Sequence, residues 1–300
     1  MTSVSTSAFY ERFNLDQTAL RSRADALQAS ISSGNRLGRS SDDPVASSRL
    51  RSLGRADSFA TVDQTLSARA SSDLMLTDSA LQSFADSVIR VQVLATQAAN
   101  GVLTPAQRAG IATEIEQISG ELVRLANARD SAGHALFGGD TPGDAYALDT
   151  LGNAVYIGTS SASDLPLGDG QSVTRGLTGP ELLNFGATNL FALVKGLAAD
   201  LAGAAADPAQ AARDALGALD TGLETITTQQ TVIGARLNWI DLTTDRRTQM
   251  SELRSQEESN VGGTDLAEAV SRLQQTMTVL EASQASFARL SSLSLFDFLR

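Results

Sequence analysis

Apolar residues recur along most of this 300-residue chain at alternating intervals of three and four, the spacing of one buried face on a helix. Phe13, Leu20, Ala24, Leu27 and Ile31 make the first such stripe, with Gln17 in its vacant slot, and predict a helix over about residues 5–33. From Pro44 the pattern is looser through Val45, Leu53 and Leu66. It then becomes strict at Leu74, Leu81, Phe84, Val88, Val91, Ala95 and Ala98. A third stripe runs Ile111, Ile115, Ile118, Leu122 and Leu125, and a fourth, after Asp207-Pro208, runs Leu219, Leu223, Ile226, Ile233, Leu237 and Ile240. The last holds Leu266, Val270, Leu273, Met277, Leu280 and Phe287, and again a glutamine, Gln284, takes an expected apolar slot.

The breaks between stripes carry helix-terminating chemistry. In SSGNRLGRSSDDP, residues 32–44, Gly34 suits a left-handed C-cap, Asp43 an N-cap and Pro44 the first helical position, while Asp42 adds negative charge near a positive helix end. Asn100-Gly101 and Thr104-Pro105 stop and restart the chain between two long helices, which the short connection makes antiparallel. ESNVGGTD, residues 258–265, breaks the fourth helix, and Asp265 with Glu268 signals a new N-terminus. A segment from 208 to about 258 spans roughly 75 Å as a helix and has to lie against the earlier long helices to be stable.

Between Gly133 and Gly186 the character changes. Eleven of the 24 glycines and three of the six prolines fall there, with strand-like YAL (146–148) and AVYIG (154–158) joined by a turn through Leu151, Gly152 and Asn153. The fold class read from these patterns is mainly α: an elongated helical bundle or coiled coil formed by the N- and C-terminal segments, with a small β-rich insert in the middle. The segments are 1–43, 44–132, 133–186, 187–260 and 261–300.

Composition sharpens this reading. Alanine supplies much of the 42% apolar content and aromatics only 5%, which favours thin helix-on-helix seams over a thick core. The net charge of −11 is uneven, at +2 over residues 1–60 and −13 over the remainder, and is no nucleic-acid footprint. No cysteine is present, so disulfides, thiolate zinc sites and cysteine nucleophiles are excluded. No apolar run approaches the ~20 residues of a membrane span, and MTSVSTSAFYERFNLDQ does not read as a secretory signal.

Candidate chemistry is sparse. Gly34 and Gly38 are one residue too close for a phosphate loop, Arg39 stands where lysine is needed, and a helix precedes them. Asp42 and Asp43 point apart as sequence neighbours, and capping accounts for one of them. His134, the single histidine, reads as sitting at a helix end, where a favourable C-terminal interaction is preferred to catalysis. Trp239, the single tryptophan, reads as ordinary core in preference to a partner anchor. These patterns assign no catalytic, metal or cofactor site, and the cofactor expectation is none.

The two ends are narrow amphipathic helices, marginal alone, so neighbouring molecules are the natural source of their missing contacts. ISSGNRLGRSSDDPVA (31–46) resembles the N-terminal signature of the bacterial flagellin superfamily. DLAEAVSRLQQTMTVLEASQASFARLSSLSLFDFL (265–299) is similar to the C-terminus of its hook-filament junction branch, and DDPVA (42–46), LFGGD (136–140) and the terminal SLFDFL also resemble that branch. Asn35 and Leu37 stand where the family often has lysine and isoleucine.

The resemblance implies a structural subunit of the flagellum, not an enzyme, with 1–43 and 261–300 as polymerisation helices flanking a helical rod and its return. It would form a ring that adapts the hook to the flagellin filament. Its implied partners are further copies of itself, hook-associated protein 1, flagellin, an export chaperone and the flagellar type III secretion apparatus, with no nucleic acid and no membrane insertion. Location would be extracellular, reached without a cleaved signal. A short filament flagellin is the alternative, and a soluble enzyme on a helical scaffold a remote one. The expected assembly interface comprises Phe13, Gln17, Leu20, Leu27, Ile31, Leu266, Val270, Leu273, Met277, Leu280, Gln284, Phe287, Leu295 and Phe296. The expected hinge comprises Gly34, Arg36, Asp42, Asp43 and Pro44.

Overall fold

The computed structural model describes residues 6–298 other than 169, 186 and 187, with side chains over 8–289. Its long helices are α1 (Thr6–Ser33), α2 (Pro44–Ala98), α3 (Pro105–Ala126), α6 (Pro208–Gly262) and α7 (Leu266–Phe298). Between α3 and α6 lie three antiparallel hairpins, β1 (Tyr146–Leu148) with β2 (Ala154–Tyr156), β3 (Asp164–Gly168) with β4 (Gln171–Thr174), and β5 (Asn184–Phe185) with β6 (Thr188–Asn189). Short α4 (Gly179–Leu183) precedes β5, and α5 (Leu190–Ala199) ends in a wide turn at Asp200–Ala204. The chain divides into two compact units, one of residues 1–59 with 248–300, the other of residues 60–247.

In the 60–247 unit, α2 buries an unbroken alternation of fours and threes: Ala70, Leu74, Thr77, Leu81, Phe84, Val88, Val91, Ala95 and Ala98. Thr77 keeps its hydroxyl satisfied in this apolar row by donating to the Asp73 carbonyl at 3.0 Å. Ile115 and Leu122 of α3, Val194 and Leu197 of α5, and Leu219, Ile226, Ile233 and Ile240 of α6 are buried in the same cluster. α3 starts as its sequence predicts. The Thr104 hydroxyl accepts from the Gln107 N–H, the Gln107 side chain accepts from the Thr104 N–H, and Pro105 holds the first turn.

The β-rich segment has its own apolar centre. Phe137 meets Phe84 edge-on at 5.7 Å, and Tyr146 meets Phe191 edge-on at 5.0 Å. The β1–β2 turn falls at the expected residues: Asp149 Oδ1 accepts from the N–H groups of Leu151 and Asn153, while Gly152 takes φ +71°. Asn127, just past α3, substitutes for a strand neighbour by donating to the Tyr146 carbonyl and accepting from its N–H, both at 2.9 Å.

Three local expectations change. His134 is not at a helix end: α3 stops at Ala126, and His134 lies in the following loop with Nδ1 3.0 Å from Arg175 Nη2. Trp239 is not core but 43% exposed, because the buried row of α6 passes through Ile233, Leu237 and Ile240 and leaves it on the flank. α6 also continues past residue 258 to Gly262, so the break there is only the three residues 263–265.

The loop around His134 is fixed by a buried carboxylate. Asp130 Oδ1 accepts from the N–H groups of Ala132 and His134 at 2.8 and 2.9 Å, and its Oδ2 accepts from Arg175. Burial pushes this carboxyl up, but the N–H of His134, the Arg175 guanidinium and the N–H of Ala132 outweigh it and hold it below the usual range. A depressed folded value means stability that is present above the ordinary carboxylate range near pH ~4 and lost as pH falls through the folded value. Asp130→Asn is therefore expected to cost about 2 kcal/mol at neutral pH. Chemical denaturation at pH 7 and at pH 3 checks this, the gap between variant and parent narrowing in acid.

Candidate assembly surface

In the unit of residues 1–59 and 248–300, α1 and α7 pack antiparallel. Phe13 stacks on Phe287 with ring centroids 3.7 Å apart and 9° between planes, and Tyr10 meets Phe287 edge-on at 5.2 Å. One turn along, the Gln17 side chain donates to Ser283 Oγ at 2.9 Å and accepts from Gln284 Nε2 at 3.2 Å. These contacts fix a register that places Leu20 opposite Leu280, Ala24 opposite Thr276, Leu27 opposite Leu273 and Ile31 opposite Ala269. Burial follows it: Ala24, Thr276 and Ala269 are buried, and the four larger residues on Leu20, Leu27, Leu273 and Leu280 are partly covered.

The face of α7 turned to α1 therefore differs from the one its large residues suggest. Leu273, Leu280 and Phe287 are shared, but the intervening slots are filled by Ala269, Thr276 and Ser283, whose small or polar side chains did not register as a stripe although they repeat every seven residues. Leu266, Val270 and Met277 stand on the flank at 55, 40 and 44% exposure, with Gln284 also exposed. α7 thus carries two overlapping heptad faces, one used within the chain and one open to solvent. Of the two glutamines, Gln17 is the buried one, at 7% exposure. Leu295 and Phe296 lie on the backbone of α7, but their side chains fall outside the described residues.

The residues expected to form a hinge make one connected structure. Gly34 closes α1 with φ +73°, its N–H donating to the Ser30 carbonyl at 2.9 Å. The chain then runs against the break after α6. Arg36 N–H donates to the Gly262 carbonyl at 2.8 Å, Thr264 N–H to the Gly34 carbonyl at 2.9 Å, and Asn35 bridges Gly263. Arg36 Nη2 reaches both the Val261 carbonyl at 3.0 Å and Asp43 Oδ2 at 3.2 Å. Asp43 Oδ1 caps α2 by accepting from the Ala46 N–H at 3.0 Å, and that bond, then the Arg36 guanidinium, holds its carboxyl below the usual range. Asp42 instead closes its own turn, accepting from the Arg39 N–H at 2.8 Å. The opposed breaks are thus laced together through backbone groups, a pairing that side-chain patterns do not encode. Arg49–Glu257 and Arg254–Asp57 ion pairs, also unforeseen, join α2 to α6 in the same unit.

Among the described residues no cluster of three His, Asp or Glu is placed to hold a metal, and no helix is long and apolar enough to cross a membrane. The arrangement is one of helix ends, seams and exposed apolar flanks. The bacterial flagellin N-terminal helical region is matched over residues 4–141, and the bacterial flagellin C-terminal helical region over residues 216–299.

The chain belongs to the bacterial flagellin family.

Within that family it is similar to proteins named flagellar hook-associated protein 3. It is similar to flagellar hook-associated protein 3 of Escherichia coli K12, 25% identical across 89% of this chain and 90% of that one. To the protein of the same name in Salmonella typhimurium it is 23% identical across 99% of both. A solved structure from Vibrio parahaemolyticus, described as a flagellar hook-associated protein, superposes with TM-score 0.70 at 25% identity, covering 74% of this chain and 100% of that one. The flagellar junction protein FlgL from Legionella pneumophila, 16% identical, shares the fold with TM-score 0.61 over 71% of this chain and 99% of its own.

The cysteine-free sequence allows the flagellin-type helix pairing to be mapped directly. Ala24→Cys with Thr276→Cys is expected to form a disulfide on mild oxidation, while Ala24→Cys with Ala269→Cys, one heptad out of register, stays reduced. Mobility on non-reducing gels reads the result, and equal cross-linking of both pairs would contradict the register.

Proposed function

We propose that this protein is a structural subunit of the junction between the flagellar hook and the flagellin filament, and that it works without catalysis. The observation that carries the reading is end-to-end similarity to hook-associated protein 3, spanning 99% of both chains in the Salmonella typhimurium comparison. The exposed heptad face of α7 supports it, since a paired helix that keeps Leu266, Val270 and Met277 in water has contacts left to make. Subunits then assemble by docking that face and the ends of α1 on further copies of the chain, on hook-associated protein 1 and on flagellin. A chaperone would cover the same face before export through the flagellar type III apparatus to the cell exterior. Gly34, Arg36, Asp43 and Pro44 serve as the point where the terminal pair is set against α2.

Deleting the gene tests the reading: flagellin is expected in the medium as unattached subunits, with hooks still on the cells. If the chain were a short filament flagellin, it would instead be the bulk protein of sheared filaments, and its loss would leave no filament subunit in the medium.

At residue level, Val270→Asp and Met277→Asp change only exposed positions and are expected to alter monomer stability by less than about 0.5 kcal/mol. Each is expected to lower incorporation into hook-filament structures by at least about tenfold, because a desolvated charge opposes docking. Leu273→Asp strikes both faces and should also loosen the α1–α7 pair. Immunoblots of sheared flagella, with circular dichroism of the purified variants, check both effects.

A further inference from the structure

The turn that joins α2 to α3 in the unit of residues 60–247 carries the one asparagine-glycine step of the chain, Asn100-Gly101; each other asparagine precedes a residue with a side chain. In the sequence the pair reads as a helix stop. In the structure Asn100, Gly101 and Val102 are all exposed, Val102 at 86%. The Asn100 N–H donates to the Gln97 carbonyl at 3.2 Å, the Leu103 N–H to the Asn100 carbonyl at 3.4 Å, and the Val102 N–H to Asn100 Oδ1 at 3.3 Å. Between them, the Gly101 N–H meets no acceptor among the described residues.

That pattern brings an electrophile and a nucleophile together. The bond from Val102 draws electron density from the Asn100 amide carbon and folds the side chain back along the main chain, in a ring that encloses the Gly101 nitrogen. The nitrogen itself is unrestrained, since no hydrogen bond has to break before it loses its proton. Nothing stands over it either. A Cβ built on Gly101 would meet no atom within 4 Å outside its chain neighbours, so water and dissolved bases reach the site and the glycine backbone is free to rotate. Asn127 is the contrast: its amide is fixed at both ends by the Tyr146 backbone, donating to the carbonyl and accepting from the N–H, both at 2.9 Å, and an alanine follows it.

We propose that Asn100 is a site of spontaneous post-translational deamidation, so that the α2–α3 turn passes from neutral to anionic as the protein ages. A base in solution takes the Gly101 N–H proton, and the nitrogen forms a bond to Asn100 Cγ. The Cγ–Nδ2 bond breaks, and Nδ2 takes up a proton and leaves as ammonia. Water then opens the resulting succinimide ring at either carbonyl, giving an aspartyl residue or an isoaspartyl one whose main chain runs through the side-chain carbon. Each event makes the chain one unit more negative than its formal −11. The new carboxylate lies just past the C-terminus of α2, the negative end of the helix dipole, and next in sequence to Ala99, whose carbonyl accepts from Arg213 Nη1 at 2.9 Å. The site shares no residue with the assembly surface, so it stands or falls independently of the junction reading.

Ageing the purified full chain in mildly alkaline buffer and mapping its tryptic fragments by mass spectrometry tests this. Fragment 91–108, which follows Arg90 and ends at Arg108, is expected to gain the mass of an amide replaced by a carboxyl at least about tenfold faster than fragment 125–129, which holds Asn127. The product is expected as two chromatographically distinct species of equal mass, aspartyl and isoaspartyl, a pair that only the ring intermediate produces. Gly101→Ala places its Cβ in open space, so the fold is kept, and the variant should gain the mass about tenfold more slowly while circular dichroism shows unchanged helix content. Asn100 reacting no faster than Asn127 in the folded parent chain overturns the proposal, as does a single aspartyl product or a Gly101→Ala variant that is not slowed.

Discussion

Two helices from opposite ends of the chain order each other through a stripe only one residue wide, and the rest of the terminal unit depends on that pairing. Its contents are modest. One aromatic stack, a glutamine layer and alternating leucine and small-residue pairs bury the small side chains but cover the large apolar ones only in part. Because burial scales with area, such a seam stabilises far less than the row on α2, where Leu74, Leu81, Phe84, Val88 and Val91 are fully enclosed. A weak but registered pair suits the proposed assembling subunit. Phe13–Phe287 and Gln17–Ser283 set the register, while the apolar flanks of Leu266, Val270 and Met277 stay exposed.

The lacing of the two breaks gives that pair a fixed root. Gly34, Asn35 and Arg36 run against Val261, Gly262 and Gly263 with bonds in both directions, so α1 and α7 begin from one short bridge instead of from two independent linkers. Arg36 connects this bridge to the cap of α2 through Asp43. The stretch SSGNRLGRSSDDP, which resembles a ligand loop in composition, is thereby a structural joint. Arg36, Asp42 and Asp43 are engaged there by a backbone carbonyl, by backbone N–H groups and by the Arg36–Asp43 pair.

The β-rich part of the 60–247 unit follows a different logic. Its glycines and turns allow short hairpins to fold back on a few aromatic residues, and Asp130 and Asn127 provide polar anchors where strands are too short to satisfy the backbone themselves. Asp73 is the exception to this economy of partners, a carboxylate oxygen that the same network leaves unanswered.

Helix identity and the long apolar rows were determined by sequence alone, because their signal is local and periodic. The positions from Leu74 to Ala98, the Thr104 cap, the turn at Gly152 and the cap at Asp43 all sit where residue order put them. Only tertiary structure decided which face of α7 meets α1. Two heptads overlap on that helix, and the one with the larger residues, Leu266, Val270 and Met277, lost the internal partner to Ala269, Thr276 and Ser283, whose small side chains let the helices pack in the register that Phe13 and Gln17 demand. Tertiary structure likewise decided the exposure of Trp239, the placing of His134 against Arg175 and the joining of the two glycine breaks. Each of these depends on groups distant in sequence, and neither periodicity nor turn chemistry carries information about such distances.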